Sequence, residues 1–218
     1  MRIRRTLAAL VAATALLTGT LLSTGSAQAA GTPLDQCSTA FHHDDSRLGP
    51  QQLPLLGRVG FELLGYSRSG DLGSDARLLA QYYSPTANSG SPGWIYPPDN
   101  GYLLDRAGQP IEGPQTLRPG TDIDRFGSEY GAFLAPEGLP YAARSIPPSS
   151  LDSVPAGSCN YHDYRVLKPF TVDAGPIAPW FGQPGLGRQY QLDGTLVPGA
   201  PTQLNVLWLV DNGYLSRL

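Results

Sequence analysis

Arginine, glutamine and aromatic side chains are concentrated in two segments rich in glycine and proline, residues 122–136 and 175–190. The first contains Arg125 between an aspartate and a phenylalanine, and the second leads through a Gly-Leu-Gly-Arg stretch to Gln189. Glycine lets the backbone approach a ligand closely, and proline stiffens the loop around it. A guanidinium group presents a planar fork of donors to phosphate oxygens, and aromatic faces stack on planar rings. Together these residue types predict a site for a pyrophosphate joined to flat heterocycles.

Three motifs in a fixed order carry a resemblance to a known family. Asp-Arg-Phe-Gly-Ser starts at Asp124, Arg-Ser-Ile-Pro-Pro starts at Arg144, and Gly-Pro-Ile-Ala-Pro-Trp-Phe-Gly-Gln-Pro-Gly-Leu-Gly-Arg-Gln ends at Gln189. From Tyr96 to Leu218 the chain resembles the tuberculosis necrotizing toxin (TNT) family of NAD glycohydrolases, in the layout of the stand-alone secreted fungal enzymes. The resemblance implies hydrolysis of the nicotinamide–ribose bond of NAD or NADP, with no cofactor required for catalysis. The products would be nicotinamide and ADP-ribose, or its 2′-phospho form from NADP.

Gln189 matches the catalytic glutamine of the family, residue by residue along the motif. Nicotinamide leaves as a neutral molecule from a cationic pyridinium, so the reaction needs no general acid, and its transition state resembles an oxocarbenium ion. A neutral amide oxygen can orient a ribose hydroxyl or the attacking water, and it can face the developing cation. The alternative for this residue is a glutamine that only satisfies loop backbone.

Arg125 and Arg144 match arginines that the family uses near the pyrophosphate, and we expect both to take part in substrate binding and catalysis. Arg125 lies beside Asp122 and Asp124 in the sequence, so a local salt bridge is the alternative. Arg144 has no close acidic neighbour in the sequence, and its charge needs another partner. We expect three further residues to bind substrate: the aromatic residues Phe126 and Phe133, and Gly187.

Three other functions compete with NAD(P)⁺ hydrolysis. An ADP-ribosyltransferase would break the same bond and pass the ribose to a protein, but such enzymes typically use a glutamate where this chain has Gln189. A catalytically silent secreted effector or binding module is the second, although the motif arginines and glutamine are all present. A glycan hydrolase would need a carboxylate pair, for which Asp122, Asp124 and Glu129 are the candidates.

The sequence divides into three parts. Residues 1–29 have a basic start, an apolar stretch and an Ala-Gln-Ala end, which predicts a secretory signal peptide and an extracellular protein. Residues 30–52 are polar and irregular, and we expect them to form an N-terminal arm. Residues 53–218 would form the TNT-like catalytic domain, with its motif core at 96–218.

Charge and hydropathy disfavour two classes of partner. The chain has 15 basic and 18 acidic residues, a formal net charge of −3, and loss of the three signal-peptide arginines leaves 12 basic residues, near −6. Nucleic-acid binding depends on neutralising phosphates, so an acidic chain is a poor candidate. Beyond the signal peptide no stretch is apolar enough to cross a bilayer, so we expect no membrane partner. The resemblance allows a homodimer and an immunity protein.

The sequence predicts one disulfide and no metal site that can be placed. Cys37 and Cys159 are the only cysteines, and in an exported chain an isolated pair predicts one disulfide. No metal site is predicted, because the His-His-Asp-Asp segment at 42–45 has no zinc spacing and favours a solvated arm. The resemblance allows a structural calcium ion, but Asp211 and Asn212 are too few ligands to place it.

The pattern predicts an α+β fold, a β-rich single domain with a small, mostly antiparallel sheet, a few short helices and long Gly/Pro loops. Ser74 is expected to cap a helix over 75–83. An Asp-Asn-Gly turn at 211–213 is expected to lead into the following residues. Short apolar runs predict six strands, at 102–105, 131–135, 162–167, 170–173, 187–192 and 203–210.

Overall fold

Antiparallel pairing between short strands builds the centre of the molecule. In the computed structural model, which describes residues 32–152 and 157–218, seven strands form one sheet and two others form a separate hairpin. The predicted signal peptide lies outside the described residues. The hairpin joins β1 (Tyr83–Asn88) to β2 (Ser91–Trp94). The large sheet contains β3 (Gly113–Leu117), β4 (Asp122–Phe126), β5 (Phe133–Pro136), β6 (Tyr161–Val166), β7 (Phe170–Pro176), β8 (Arg188–Gln191) and β9 (Leu215–Arg217).

The strands of the large sheet follow the order β3-β7-β8-β5-β4-β6-β9, and each described pair is antiparallel. The α+β fold with a mostly antiparallel sheet is therefore confirmed. The strands β5 to β8 lie within three residues of the predicted runs at 131–135, 162–167, 170–173 and 187–192. Strands β8, β5 and β4 are neighbours in the middle of the sheet, which brings together the two segments whose residue types suggest chemistry.

Within the described residues, three short α-helices accompany the sheet: α1 (Gly57–Glu62), α2 (Asp75–Tyr82) and α3 (Val206–Asp211). The predicted helix after Ser74 is confirmed, because the Ser74 hydroxyl accepts a hydrogen bond from the Arg77 amide, as an N-cap does. Within the described ranges, no helix combines the length and the apolar character needed to cross a bilayer.

Two predicted strands are wrong. Most of the predicted strand at 203–210 belongs to α3. This helix begins after Asn205, whose side chain accepts a hydrogen bond from the Trp208 amide. The run is apolar at nearly every position, so its periodicity does not distinguish a strand from a buried helix. The Asn205 side chain caps the first turn and favours the helix. Residues 102–105 contribute only isolated bridges, Tyr102 to Ile177 among them. The turn at 211–213 does lead into β9.

Two main apolar clusters lie on different sides of β4. Ile123 belongs to the larger cluster, which the sheet shares with Val206 and Leu209 of α3. Phe126 belongs to the second cluster, with Tyr141 among its fully buried members. Because side chains alternate along a strand, positions 123 and 126 point to opposite faces. One strand therefore contributes side chains to both apolar clusters.

The disulfide between Cys37 and Cys159 is present, with a Cα–Cα distance of 5.3 Å. Both cysteines are buried in the same cluster as Phe126. The segment around Cys37 is also held by a backbone hydrogen bond from Ser38 to Gln52. The boundary of the arm at residue 52 stays a prediction, but the disulfide attaches this segment to the core beneath the candidate site.

We predict that the Cys37→Ser, Cys159→Ser double variant loses about 4–5 kcal/mol of unfolding free energy in the chain-entropy account of a long closed loop. The bond closes a sequence separation of 122 residues. Urea unfolding of both proteins, with and without reductant, measures the effect. Reductant should destabilise the wild type and leave the double variant unchanged. Equal stability of the oxidised wild type and the double variant would show that the bond contributes nothing.

Candidate active site

A cavity of about 540 Å³ lies at the end of β4, where both Arg125 and Phe126 line it. Its volume falls in the range of about 300–1,000 Å³ that is usual for small-molecule sites. A smaller pocket of about 60 Å³ adjoins it and shares part of its lining. Five of the six predicted site residues line both, and the sheet has brought them together from three separate motifs: Arg125, Phe126, Phe133, Arg144 and Gln189.

Gln189 lies on β8, directly opposite Gly175 of β7, and only 8% of its surface is exposed. Its Nε2 donates a hydrogen bond of 2.9 Å to the carbonyl oxygen of Asn100. Asn100 has a left-handed backbone (φ 52°), and the next residue, Gly101, accepts a hydrogen bond from the Ala178 amide. This turn fixes the Gln189 amide group. With Nε2 committed to backbone, Oε1 is the end of the side chain that can accept a hydrogen bond from a ligand.

Arg125 extends from β4 into a nest of backbone carbonyls. Its Nε donates to Ser128 O and its Nη1 donates to Phe133 O, both at 2.7 Å. Burial lowers the pKa of Arg125 from its usual value, yet it remains far too high for loss of the charge at neutral pH. Within residues 32–152 and 157–218, no carboxylate lies within salt-bridge distance of this guanidinium. Arg125 thus presents a charge that the described protein does not neutralise.

The alternative of a local salt bridge at Arg125 is not formed in the described structure. Asp122 instead receives two hydrogen bonds of 2.8 Å from Arg165 on the neighbouring strand β6. Asp124 points to the other face of β4 and pairs with Arg144. Strand geometry separates Arg125 from both of its acidic neighbours, because successive side chains alternate between faces.

Two glycines make room for the Arg125 side chain. A methyl group at Gly131 would overlap Nη2 of the guanidinium, and one at Gly127 would crowd the same atom. Gly131 has no positive φ, so alanine could adopt its backbone, and the lack of a side chain matters here only for space. Glycine at 131 therefore sets where the guanidinium lies.

Arg144 is almost fully buried, with 6% of its surface exposed, although it contributes to the cavity lining. It donates from Nη1 and Nη2 to the two oxygens of Asp124, at 2.5 and 2.8 Å, and from Nη2 to Glu62 Oε2 at 2.8 Å. Its Nε donates to Leu139 O at 3.0 Å. This differs from the expectation of an arginine whose fork receives a phosphate, because protein carboxylates occupy the fork. A direct contact between Arg144 and substrate stays a prediction.

Glu62 is a functional residue that the sequence analysis missed. It lies on α1, 3% exposed, and its Oε1 is buried with no hydrogen-bond partner in the part of the chain that the structure describes. Burial raises the pKa of Glu62 to about 7, against the opposing effect of the Arg144 charge. One arginine between two carboxylates leaves an excess negative charge in a place with little water, which favours protonation of Glu62. A lone glutamate within the apolar stretch Phe-Glu-Leu-Leu is the sequence signal that could have identified it.

The two phenylalanines occupy different depths of the cavity wall. Phe126 is 5% exposed and packs on the rings of Tyr141 and Tyr161, at centroid distances of 4.9 and 5.0 Å. The guanidinium carbon of Arg144 lies 5.0 Å from the centre of its ring. Phe133 is 37% exposed, so its ring has free surface at the cavity. Phe133 is thus the better placed of the two to stack on a ligand.

Gly187 does not line the cavity, unlike the expectation for a substrate-binding residue. Its amide donates to Ala143 O at 3.1 Å, and its carbonyl accepts from the Ile177 amide at 2.8 Å. A methyl group at this position would lie 2.6 Å from Ala143 O. Glycine is required here because two backbones pass closely, and the residue joins the loop before β8 to the turn that ends at Arg144.

The carboxylates considered for a glycan hydrolase are not assembled as a pair. Asp122, Asp124 and Glu129 each hydrogen-bond a different arginine. The arginine on Glu129 is Arg217 of β9, and Tyr164 donates to the same carboxylate. Of the three, only Asp124 lines the smaller pocket, and both of its oxygens accept hydrogen bonds from Arg144.

The fold and the cavity define a single β-rich domain with a small-molecule site across the middle of its sheet. The sequence model of a family described as tuberculosis necrotizing toxin matches residues 116–218. The chain is 48% identical over 175 residues to the conidial surface nicotinamide adenine dinucleotide glycohydrolase nadA of Aspergillus fumigatus, covering 80% of this chain and 69% of that protein. The chain belongs to the TNT family.

A solved structure has a similar fold. It is the tuberculosis necrotizing toxin complexed with its immunity factor IFT, with a TM-score of 0.51 and 18% sequence identity. The similarity covers 81% of this chain and 79% of the toxin chain. At this level of identity the comparison supports the fold and carries no assignment of individual residues.

We predict that Glu62 makes the unfolding free energy fall as pH rises from about 4.5 to about 7. A carboxyl group whose pKa is raised from 4.5 to about 7 by folding holds its proton more tightly in the folded state within that window. Stability from this group is therefore complete below pH 4.5 and is lost as pH rises through 7. Denaturant unfolding of the wild type and of Glu62→Gln across this range should give a difference that changes with pH.

The matched control is Glu137→Gln, which removes a more exposed carboxylate that pairs with Arg58. Its difference from the wild type should not follow the same curve. A constant difference between wild type and Glu62→Gln from pH 4.5 to 8 would contradict the raised pKa.

Proposed function

We propose that this protein is an extracellular NAD(P)⁺ glycohydrolase. It cleaves the nicotinamide–ribose bond of NAD, or of NADP, and releases nicotinamide and ADP-ribose or its 2′-phospho form. The observation that carries the proposal is the convergence of an unneutralised Arg125 and a fixed Gln189 on one cavity. Membership of the TNT family and 48% identity to a named NAD glycohydrolase support the same activity.

Arg125 is the group that binds the pyrophosphate. Its Nε and Nη1 are held by backbone carbonyls, and Nη2 has no such partner among the described residues, so the side chain is oriented before substrate arrives. A preoriented guanidinium loses little freedom on binding, and an anion in a partly enclosed cavity gains more from its charge than in water. Phe133 and the exposed Tyr96 offer aromatic surface for the two heterocycles of the substrate.

Gln189 acts at the ribose. The bond between C1′ and the pyridinium nitrogen breaks with its electron pair going to nitrogen, so neutral nicotinamide leaves and positive charge develops on the ribose. Oε1 of Gln189 faces this charge and orients a ribose hydroxyl or the water that attacks C1′. The water then loses one proton to solvent and keeps the other as the new C1′ hydroxyl, so the net reaction consumes one water and releases one proton. No cofactor takes part in these steps.

Arg144 acts as a positioning residue. Through Asp124 and Glu62 it fixes the face of β4 that lies behind Phe126, and its guanidinium packs on that ring. We therefore replace its predicted catalytic role with that of holding the wall of the cavity. One hydrogen of its Nη1 is left for a further acceptor.

An ADP-ribosyltransferase remains the competing function. Transferases typically use a glutamate at the catalytic position, and no glutamate is found among the described residues that line the cavity. The acceptor is therefore water in our proposal. Chromatography of products distinguishes the two, because a glycohydrolase turns all NAD consumed into free ADP-ribose, while a transferase leaves a label from NAD on protein.

The remaining expectations are part of this proposal. The related Aspergillus protein is named for the conidial surface, and a disulfide fits an oxidising space, so we place this protein outside the cell. The catalytic domain at 53–218, a homodimer, a structural calcium ion and an immunity protein extend the proposal. The toxin with a similar fold was solved with an immunity factor, which motivates the last of these.

We predict that Gln189→Ala lowers kcat for NAD cleavage by at least ~100-fold, the lower range for a positioned catalytic group. Release of nicotinamide by the pure protein is the measurement, with circular dichroism to confirm folding. Gln191→Ala is the matched control, because Gln191 lies two residues further on the same strand and does not line the cavity. Near-wild-type turnover in a folded Gln189→Ala protein would remove this residue from the mechanism.

We predict that Arg125→Lys and Gly131→Ala each lower kcat/KM at least ~10-fold. Loss of a charge-assisted hydrogen bond costs about 1.5–3 kcal/mol, and lysine lacks the fork. The methyl group at 131 would displace the guanidinium without changing any charge. Gly113→Ala is the control, because a methyl group there meets no atom within 4 Å. Unchanged kcat/KM in both site variants would mean that the position of Arg125 is irrelevant to substrate binding.

A further inference from the structure

Two adjacent histidines and one aspartate form a cluster apart from the cavity. His42 and His43 lie in a short 3-10 turn, and Asp75 is the first residue of α2. His42 Nε2 lies 3.1 Å from Asp75 Oδ2, and His43 Nε2 lies 3.8 Å from the same oxygen. None of the three residues lines the cavity, so the proposed reaction does not account for them.

Adjacent residues rarely direct their side chains to one point, and the backbone makes it possible here. His43 has a φ of 53° and Asp44 a φ of 57°, both in the left-handed region. The imidazole rings of His42 and His43 lie 4.1 Å apart at 67° to each other. The chain therefore bends so that two rings meet the same carboxylate from different directions.

The spacing of the donor atoms fits a small transition-metal ion. One ligand atom from each of the three residues lies within 4.8 Å of the other two. Ligands of a tetrahedral zinc ion, at about 2.0–2.1 Å from the metal, are about 3.3 Å apart. Small rotations of His43, whose side chain is 71% exposed, would bring the set to that spacing. Two imidazoles and a carboxylate are ligands that suit Zn²⁺, while Ca²⁺ and Mg²⁺ prefer sets made of oxygen.

We propose that His42, His43 and Asp75 bind one Zn²⁺ ion, with solvent in the fourth position. The ion would join the segment that contains Cys37 to the start of α2. That helix packs through Leu78 against Phe181 and Leu48. The site is structural in this proposal, because it connects two elements and has no direct contact with the cavity. Arg68 contributes positive charge near His42, so the affinity is lower than in closed four-ligand zinc sites.

The test is titration of chelator-treated, full mature protein with ZnCl₂ by calorimetry, together with thermal unfolding. We expect one Zn²⁺ per chain and a Tm rise of about 5–10 °C at a zinc concentration roughly 100-fold above Kd. CaCl₂ at the same concentrations should give no such heat at this site. NAD cleavage should not change with zinc, so the result is independent of whether the proposed enzyme activity is correct.

His43→Ala is the decisive variant. Its side chain is exposed and the His42–Asp75 hydrogen bond does not involve it, so the protein should fold while stoichiometric zinc binding and the Tm rise are lost. Asp75→Asn should have the same effect on binding. His162→Ala, at the only other histidine, should bind zinc as the wild type does. No stoichiometric binding by the wild type, full binding by His43→Ala, or loss of binding in His162→Ala would each overturn the proposal.

Discussion

Arg144 places a buried positive charge between two carboxylates that come from distant parts of the sequence. Asp124 lies on a central strand and Glu62 on the first helix, and all three residues are less than 7% exposed. Buried charges are stable only when paired, and removal of one partner from such a pair costs about 3–5 kcal/mol because the other charge stays behind. The network therefore fixes how α1, β4 and the turn that ends at Arg144 sit together. Residues of β4 and of this turn line the cavity.

The network also explains why no carboxylate of the described residues pairs with Arg125. Arg144 satisfies Asp124 on one face of β4, and Arg165 satisfies Asp122 at its edge. The acidic residues that flank Arg125 are thus already neutralised by other arginines. Among the described residues, its guanidinium donates hydrogen bonds only to backbone carbonyls, which orient it without cancelling its charge. A stable ion-pair network on one face of the strand thus leaves, on the other face, a positive charge that no described carboxylate neutralises.

Sequence reasoning identified residues that do line the cavity. It failed where polar or charged residues are buried. The motif residues Gln189, Arg125 and Phe133 meet in one cavity, and the alternating apolar strands β5 to β8 lie where predicted. Strands β3 and β4 were missed, because Gly-Pro-Gln-Thr-Leu and Asp-Ile-Asp-Arg-Phe lack a clear apolar alternation. The two aspartates of β4 pair with Arg144 and Arg165, which only the folded chain brings close to them. Periodicity is informative only when polar residues face water.

Helix α1 is the clearest case in which hydrophobic periodicity does not predict which residues are buried. Phe61 and Leu64 are 72% and 70% exposed, while the glutamate between them is 3% exposed. In an ordinary amphipathic helix the two apolar residues would be buried and the glutamate would face solvent. The inversion follows from Arg144, whose Nη2 donates a hydrogen bond to Glu62 and which lies 82 residues away in sequence. A contact between residues so distant in sequence produces no local hydrophobic periodicity from which it could be predicted.

The motif region depends on the chain that precedes it. The family match covers residues 116–218, which include Arg125, Arg144 and Gln189. Yet Glu62 completes the pairing of Arg144, Asn100 O holds the amide of Gln189, and Cys37 covalently joins the cluster behind Phe126. Each of these partners lies before residue 116. The motif residues line the cavity. The upstream segment supplies the carboxyl group, the hydrogen bond and the covalent link that hold them in place. A substitution in that upstream segment can therefore impair the site without touching a motif residue.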